Sequence, residues 1–407
     1  MIDVIIVGGG PAGVGAAEAL SKLGLSVAIV DNSPFGGGVP IELSCKGESE
    51  CTKCHVCMPR DAAERMRSEG AIDAYSMAKV RSVNIMDNNI EMELEIAPRY
   101  VRINKCIDCG KCVAVCPIEG AIIAPPHGAM TRVPYIAKEL CAHFTSKKCN
   151  LCSDACPTDA IKYRERPRKT KLAARAVILA TGQEPVDPSG SLHYGYGVFP
   201  NVITSLEAER ITSRYGELKR PSDGKRPEKV ALIQCAGSRT TKGGVEYCSK
   251  FCCKYGIRIA RALFDRNPEM NISFIYMDLR TFEPRSEAIK WARRKKNVAI
   301  SQGVPGYIQG AEGGNLVVRR TSPFDGAIED EEFELVILNI GGRPRPETKV
   351  IAEHFSLSLD EHGFISRGDP NRGIFVAGSC KAPMDIEESY ADGKAAAISI
   401  ISALGVK

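Results

Sequence analysis

The sequence predicts an α/β fold of two Rossmann-type dinucleotide-binding domains, the first cut open by a small cysteine-rich insert, and three observations predict it. Short apolar strands followed by helical stretches recur along the chain. The first such strand runs straight into a G-x-G-x-x-G loop. Eight cysteines crowd between Cys106 and Cys156, between two halves of what otherwise reads as one nucleotide-binding domain. On this reading residues 1–99 open the first domain and 100–165 form the insert. Residues 166–225 resume the domain and lead out of it, 226–345 form the second, and 346–407 return to the first.

Composition bounds the function. The 407 residues carry a formal net charge of +5, small for that length and without a block of like charge, which argues against a nucleic-acid partner. The basic runs Arg164–Lys171 and Arg293–Lys296 read as solvated edges. No stretch of about 18 apolar residues exists, so no membrane span is expected. Seventeen cysteines at metal-ligand spacing, with no signal peptide ahead of the first strand, point to a reducing cytoplasm rather than to a disulfide framework.

Asp3–Val7 reads as a buried strand, Gly8, Gly10, Pro11, Ala12 and Gly13 as the loop that opens a helix, and Ser26–Val30 as a second strand ending at Asp31. Glycines let the backbone approach a pyrophosphate, the helix N-terminus faces its charge, and the acid takes a ribose hydroxyl. Gly37 and Gly38 follow in a loop able to pass close to the bound group. Further on, Ala174–Gly182 reads as a strand ending in Ala180, Thr181 and Gly182, and Gly373–Gly378 as another. A helix runs behind the latter from Met384 to about Ile401, and its N-terminus favours negative charge. These later stretches resemble the signatures of the thioredoxin reductase and glutathione reductase group. That resemblance implies FAD in the first domain, with Gly378, Ser379, Ala382 and Met384 beside it.

Between these strands, Cys45, Cys51, Cys54 and Cys57 stand within thirteen residues. They suit an iron–sulfur cluster, or two of them act as ligands or redox partners while the others are inert. His55 reads as a solvated neighbour. Residues 58–99 read as mixed short strands, with the alternation of Ile90–Ile96 suiting a half-exposed one.

The insert begins with Cys106, Cys109, Cys112 and Cys116-Pro117, the C-x2-C-x2-C-x3-C-P run of bacterial ferredoxins. Cys149, Cys152 and Cys156-Pro157 repeat it, with Ser146 in the place of the first cysteine and Cys141 as the candidate substitute. In two-cluster ferredoxins the fourth cysteine of each run crosses to the other cluster. Cys106, Cys109, Cys112 and Cys156 are therefore expected at one 4Fe–4S cluster, and Cys116, Cys149, Cys152 and Cys141 at the second. Structural zinc is the rival, but the spacing is poor for it. A bacterial-type two-cluster ferredoxin domain is the expectation.

The second domain starts with a strand at Lys229–Gln234 that should run into another glycine loop. It runs instead into Cys235, followed by Cys248, Cys252 and Cys253, four thiols in nineteen residues. Adjacent side chains diverge, so Cys252 and Cys253 are not both expected as buried packing residues. A cluster at the head of the following helix is the expectation, against a disulfide or inert thiols. Lys381, Arg239 and Arg343 are candidate stabilisers of a reduced cofactor, with packing as the rival role. Cys380 reads as packing. No nucleophile–base pair is evident.

The runs Arg220–Lys225, Gln234–Arg239, Tyr247-Cys248, Cys252-Cys253, Tyr276–Arg280 and Gly378–Ile386 resemble the A-type subunit family of heterodisulfide reductases and its shorter relatives, across nearly the whole chain. The resemblance implies FAD near Gly8–Asp31 and a cluster on Cys235, Cys248, Cys252 and Cys253. It also implies a homodimer, B- and C-type partner subunits, and an electron donor or acceptor protein. The activity implied is that of an oxidoreductase interconverting the electron pairs of FAD with the single electrons of three to four 4Fe–4S clusters; flavin-based bifurcation stays open. Against the full-length form, the chain is expected to lack an N-terminal domain and a C-terminal ferredoxin extension. The rival functions are a self-sufficient NAD(P)H-dependent iron–sulfur flavoprotein reductase, disfavoured by the missing second glycine loop, and a non-catalytic redox or interaction scaffold.

Overall fold

The computed structural model of the protein describes residues 2–47, 50–86, 89–146, 148–280 and 287–405. Five parallel strands form the centre of the first sheet, in the order Asp73–Tyr75, Val27–Val30, Ile2–Val7, Arg168–Leu179 and Ile374–Val376. The Val, Ile and Ala runs of the strands Val27–Val30 and Ile2–Val7 and of the end of Arg168–Leu179 are covered on both faces, as parallel strands require, while the edge strand Asp73–Tyr75 is largely exposed. The long strand Arg168–Leu179 changes partners along its length: its first half pairs antiparallel with Asn89–Ile96, its last three residues with Ile374–Val376. Asn89–Ile96 alternates buried and half-buried residues, as its sequence implies.

The first helix, Pro11–Ser21, packs on the C-terminal helix, Ile386–Leu404. Between them Glu18, 4% exposed, accepts from Tyr390 and pairs with Lys394 at 3.0 Å, Lys22 at 3.1 Å and Arg65 at 2.9 Å. Burial raises the carboxyl, but these donors more than reverse it, bringing its pKa from 4.5 to about 2.

One expectation fails here. Residues 58–99 do not begin with strands, because Cys57–Ser68 is a helix. Its buried residues Pro59, Ala62, Ala63 and Met66 recur at helical spacing and cover the first sheet's core.

The second sheet is fully parallel, in the order Val202–Thr204, Leu335–Ile340, Lys229–Ala236, Asn271–Tyr276 and Val298–Gln302. The two chain crossings between the sheets run side by side as the antiparallel pair Gln183–Pro185 and Gly342–Pro344.

The cysteine-rich insert has its own core around Val101, Ile122, Val133, Ile136 and Ile161. Its two ends meet: Lys162 donates to the Tyr100 carbonyl at 2.9 Å, and Arg102 to that of Ala160 at 2.8 Å. Buried Arg99 pins it to the first domain, donating to Val133 O at 2.8 Å, Ser76 Oγ at 2.7 Å and the Pro34 carbonyl. Burial lowers that guanidinium to about 10. Among the described residues no helix is long and apolar enough to cross a membrane.

Candidate functional site

A cavity of about 560 Å³ opens where the first strand meets the first helix. Of the residues expected at a dinucleotide, Gly8, Gly10, Pro11, Asp31, Gly38, Ala180, Thr181, Gly182, Ser379 and Met384 are in its wall. The loop is built from glycine for steric reasons. Gly8 sits at φ +108 with its missing Cβ position 2.2 Å from Ala180 O, and a Cβ on Gly13 would stand 1.9 Å from Gly8 O. Such a bare turn ending at a helix N-terminus, with a cavity in front of it, fits a dinucleotide.

The other expected residues support the wall from behind. Gly37 donates its N–H to Gly9 O at 2.7 Å, and Gly378 donates to Asp392 Oδ2 at 2.7 Å. Ala12 is buried in the core and Ala382 is half-buried. Asp31 is more occupied than expected: Gly9 donates to one oxygen at 2.7 Å and Ser33 to the other at 2.8 Å, so it braces the glycine loop while facing the cavity. The C-terminal helix starts at Ile386, and Asp385 caps it, accepting from the Glu388 N–H at 2.9 Å.

Sequence reasoning missed the far wall. Phe251, Lys254, Tyr255 and Arg258 reach the cavity from the head of the second domain's helix Cys252–Arg266. No spacing in the sequence announces this, because it depends on how the two sheets pack. The joint is held by a buried ion pair: Lys46, 2% exposed, meets Glu209 at 2.6 Å, and Tyr255 donates to the same carboxylate at 2.5 Å.

The thiols fall into groups. Among the described residues no three His, Cys, Asp or Glu side chains converge as around a single metal ion. Ligands of an iron–sulfur cube each bind a different iron and stand further apart. Cys106, Cys109, Cys112 and Cys156 line one small cavity in the insert. Burial pushes the Cys112 thiol up to about 11, helped by Cys106, Cys152 and Cys109 nearby. Burial likewise raises Cys152, whose thiol neighbours are Cys141, Cys116 and Cys149. Ser146 bonds back to Ala142 O at 2.8 Å, and buried Cys141 stands near Cys152 and Cys149 around Tyr163.

In the second domain, burial raises Cys252, with Cys235, Cys253 and Cys248 as its thiol neighbours. Cys252 and Cys253 are both buried, each at 4% exposure. At a helix head lying across two strands both directions are covered: Cys252 Sγ faces Ile340 O at 3.7 Å, Cys253 Sγ faces Asp278 O at 3.9 Å. Cys235, Arg239 and Lys250 around them hold left-handed φ of 59, 59 and 62. Such strained non-glycine residues mark functional turns. Four thiols suit iron–sulfur chemistry, and a bound cation would hold them deprotonated.

Arg239 pairs with Asp278 beside Cys235, whereas Lys381 is held by Asp392 at 3.0 Å and Arg343 by Glu184 at 2.9 Å. Cys380 is fully buried against Leu179 O and Ala377 O, a packing role.

Residues 2–233 match the family described as pyridine nucleotide-disulphide oxidoreductase. The A-type iron-sulfur subunit of the CoB–CoM heterodisulfide reductase of Methanocaldococcus jannaschii is 34% identical over 97% of this chain and 63% of its own length. The second A-type iron-sulfur subunit of the CoB–CoM heterodisulfide reductase of Methanopyrus kandleri is 34% identical over 98% of this chain and 64% of its own. The chain thus spans just under two thirds of these relatives. Among solved structures, thioredoxin reductase from Lactococcus lactis superposes with a TM-score of 0.54 at 14% identity, covering 100% of this chain and 99% of that one. The thioredoxin reductase of T. acidophilum gives 0.52 at 16%, over 98% and 97%. At such identities these neighbours speak for the two-domain α/β fold alone.

Proposed function

Because the chain belongs to the pyridine nucleotide-disulphide oxidoreductase family, we propose that it is a FAD- and iron–sulfur-containing electron-transfer component of a heterodisulfide reductase-like complex. One observation carries this reading: the cavity and the second domain's thiol group share a wall. Phe251 and Ile340 line the cavity, Cys252 is the next residue after Phe251, and its sulfur lies on the Ile340 carbonyl. When bound, FAD supplies exchange of electrons in pairs and each 4Fe–4S cluster exchange of single electrons.

The chain's residues do the rest. Gly8, Gly10 and the N-terminus of the first helix receive the dinucleotide's phosphates, and Gly38, Ala180, Thr181, Gly182, Ser379 and Met384 close around it. Cys235, Cys248, Cys252 and Cys253 hold one cluster, with Arg239 offsetting its negative charge. The insert holds two more, on Cys106, Cys109, Cys112 and Cys156 and on Cys116, Cys141, Cys149 and Cys152. Buried Lys46 pairs with Glu209 of the helix Ser205–Tyr215, which packs on the second sheet, and so fixes that sheet against the first domain and with it the separation of cavity and thiols. By analogy with the A-type subunits it resembles, the chain pairs with itself, with B- and C-type subunits, and with a ferredoxin-like electron donor or acceptor in the cytoplasm.

Anaerobic iron, sulfide and flavin analysis with EPR tests this. Relative to the wild type, Cys252→Ala/Cys253→Ala should lose about four irons per chain and one EPR signal while keeping its flavin. Unchanged iron and spectra in that variant would overturn the reading.

A further inference from the structure

We propose that Cys45, Cys51, Cys54 and Cys57 hold an additional 4Fe–4S cluster at the protein surface, against the wall of the dinucleotide cavity. The backbone of this loop repeats that of the first cysteine run of the insert. In Cys106–Cys112 the residue before the second cysteine, Asp108, has φ 55, and the residue after it, Gly110, has φ 70. In Cys51–Cys57 the equivalent residues, Lys53 and His55, have φ 51 and 58. In both runs the third cysteine enters the first turn of a helix, Lys111–Ala114 in one and Cys57–Ser68 in the other. Lysine and histidine gain nothing from a left-handed backbone in an ordinary loop. The insert's second half does not share the pattern: Asn150, placed as Gly110 is in the first, lies at φ −131, so the likeness is to the C-x2-C-x2-C run alone.

A second resemblance concerns the sulfurs. The Lys53 N–H donates to Cys51 Sγ at 3.4 Å and the Gly47 N–H to Cys45 Sγ at 3.5 Å, each from two residues on. The same bond joins Lys250 to Cys248 at 3.4 Å and Asp108 to Cys106. Amide donors of this kind stabilise a thiolate and tune the cluster it holds.

The loop is held from the helix Cys252–Arg266. Arg258 donates to Thr52 O at 3.1 Å and Lys53 O at 2.6 Å, and Arg261 pairs with Glu50 at 2.9 Å. His55 meets Glu387 at 3.2 Å, so the histidine is turned to a carboxylate. Cys54 and His55 face the cavity, while Cys45, Cys51 and Cys57 are exposed. A cluster here bridges the cavity wall and solvent, at a place independent of the insert. The proposal rests on the electron-transfer reading only in taking the cavity as the flavin's.

The test compares anaerobic holoprotein with Cys51→Ser/Cys54→Ser and, as a milder change at the exposed edge, Cys45→Ser. Wild type should hold about sixteen irons per chain and the double variant about twelve, with one EPR signal lost and flavin unchanged. Cys45→Ser should alter that same signal. About twelve irons in the wild type, or rapid alkylation of Cys51 and Cys57 in the anaerobic holoprotein, overturns the proposal. The controls Cys109→Ser/Cys112→Ser and Cys252→Ala/Cys253→Ala separate the two failures. If they lose iron and the Cys51 variant does not, only this site fails; if none loses iron, the electron-transfer reading fails as well.

Discussion

The two strand-to-helix turns of this protein use the same frame for opposite purposes. In the first domain the strand Ile2–Val7 passes through three glycines into a helix, and every side chain that would fill the turn is absent. In the second the strand Lys229–Ala236 reaches the helix Cys252–Arg266 through a longer connection, and the turn is filled with sulfur. A phosphate needs bare N–H groups and room for close approach; a cluster needs side chains that converge from several backbone directions. The second turn provides those directions with residues held at left-handed φ, namely Cys235, Arg239 and Lys250. On the proposed reading, one frame offers a phosphate seat on one side of the cavity and a thiol seat on the other.

The comparison breaks most sharply at Gly13. A Cβ there meets Gly8 O at 1.9 Å, with no flexible side chain to yield. Gly13→Ala should abolish flavin retention, read as absorbance near 450 nm per chain falling from about one flavin to almost none, while the insert keeps its iron. The joint between the two turns comes next. Removing one partner of the buried Lys46–Glu209 pair leaves an uncompensated charge, so Lys46→Met should cost about 3 kcal/mol in urea unfolding.

Glu18 carries a smaller effect behind the glycine turn, where Glu18→Gln should cost about 2 kcal/mol at pH 7. Its folded pKa is depressed, so its contribution is complete above the free value of 4.5 and is lost as pH falls through about 2. The difference between wild type and variant should shrink across that window; a difference that stays constant from pH 6 to 2.5 would remove Glu18 from the account.

Much of this arrangement was legible because its chemistry is local. The glycine loop and the C-x2-C-x2-C run are sets of residues a few positions apart, and the structure brings Cys106, Cys109, Cys112 and Cys156 around one cavity. What depended on packing was not legible. Lys46 and Glu209 are 163 residues apart, and nothing near either marks the pairing. Phe251 and Tyr255 reach the cavity only because the second sheet docks where it does. The contacts of Cys252 with Ile340 and of Cys253 with Asp278 likewise depend on where the helix head lies over the sheet. The helix Cys57–Ser68 is a different case. Its apolar spacing was present in the sequence, overshadowed by the cysteines beside it.

The central claim is that the second domain's turn holds a cluster where a reductase of this fold would hold a pyridine nucleotide. Its most direct test is anaerobic mixing of the oxidised protein with NADH or NADPH while flavin absorbance is followed. The account predicts that neither bleaches the flavin, whereas dithionite does; bleaching by either nucleotide within seconds would contradict it.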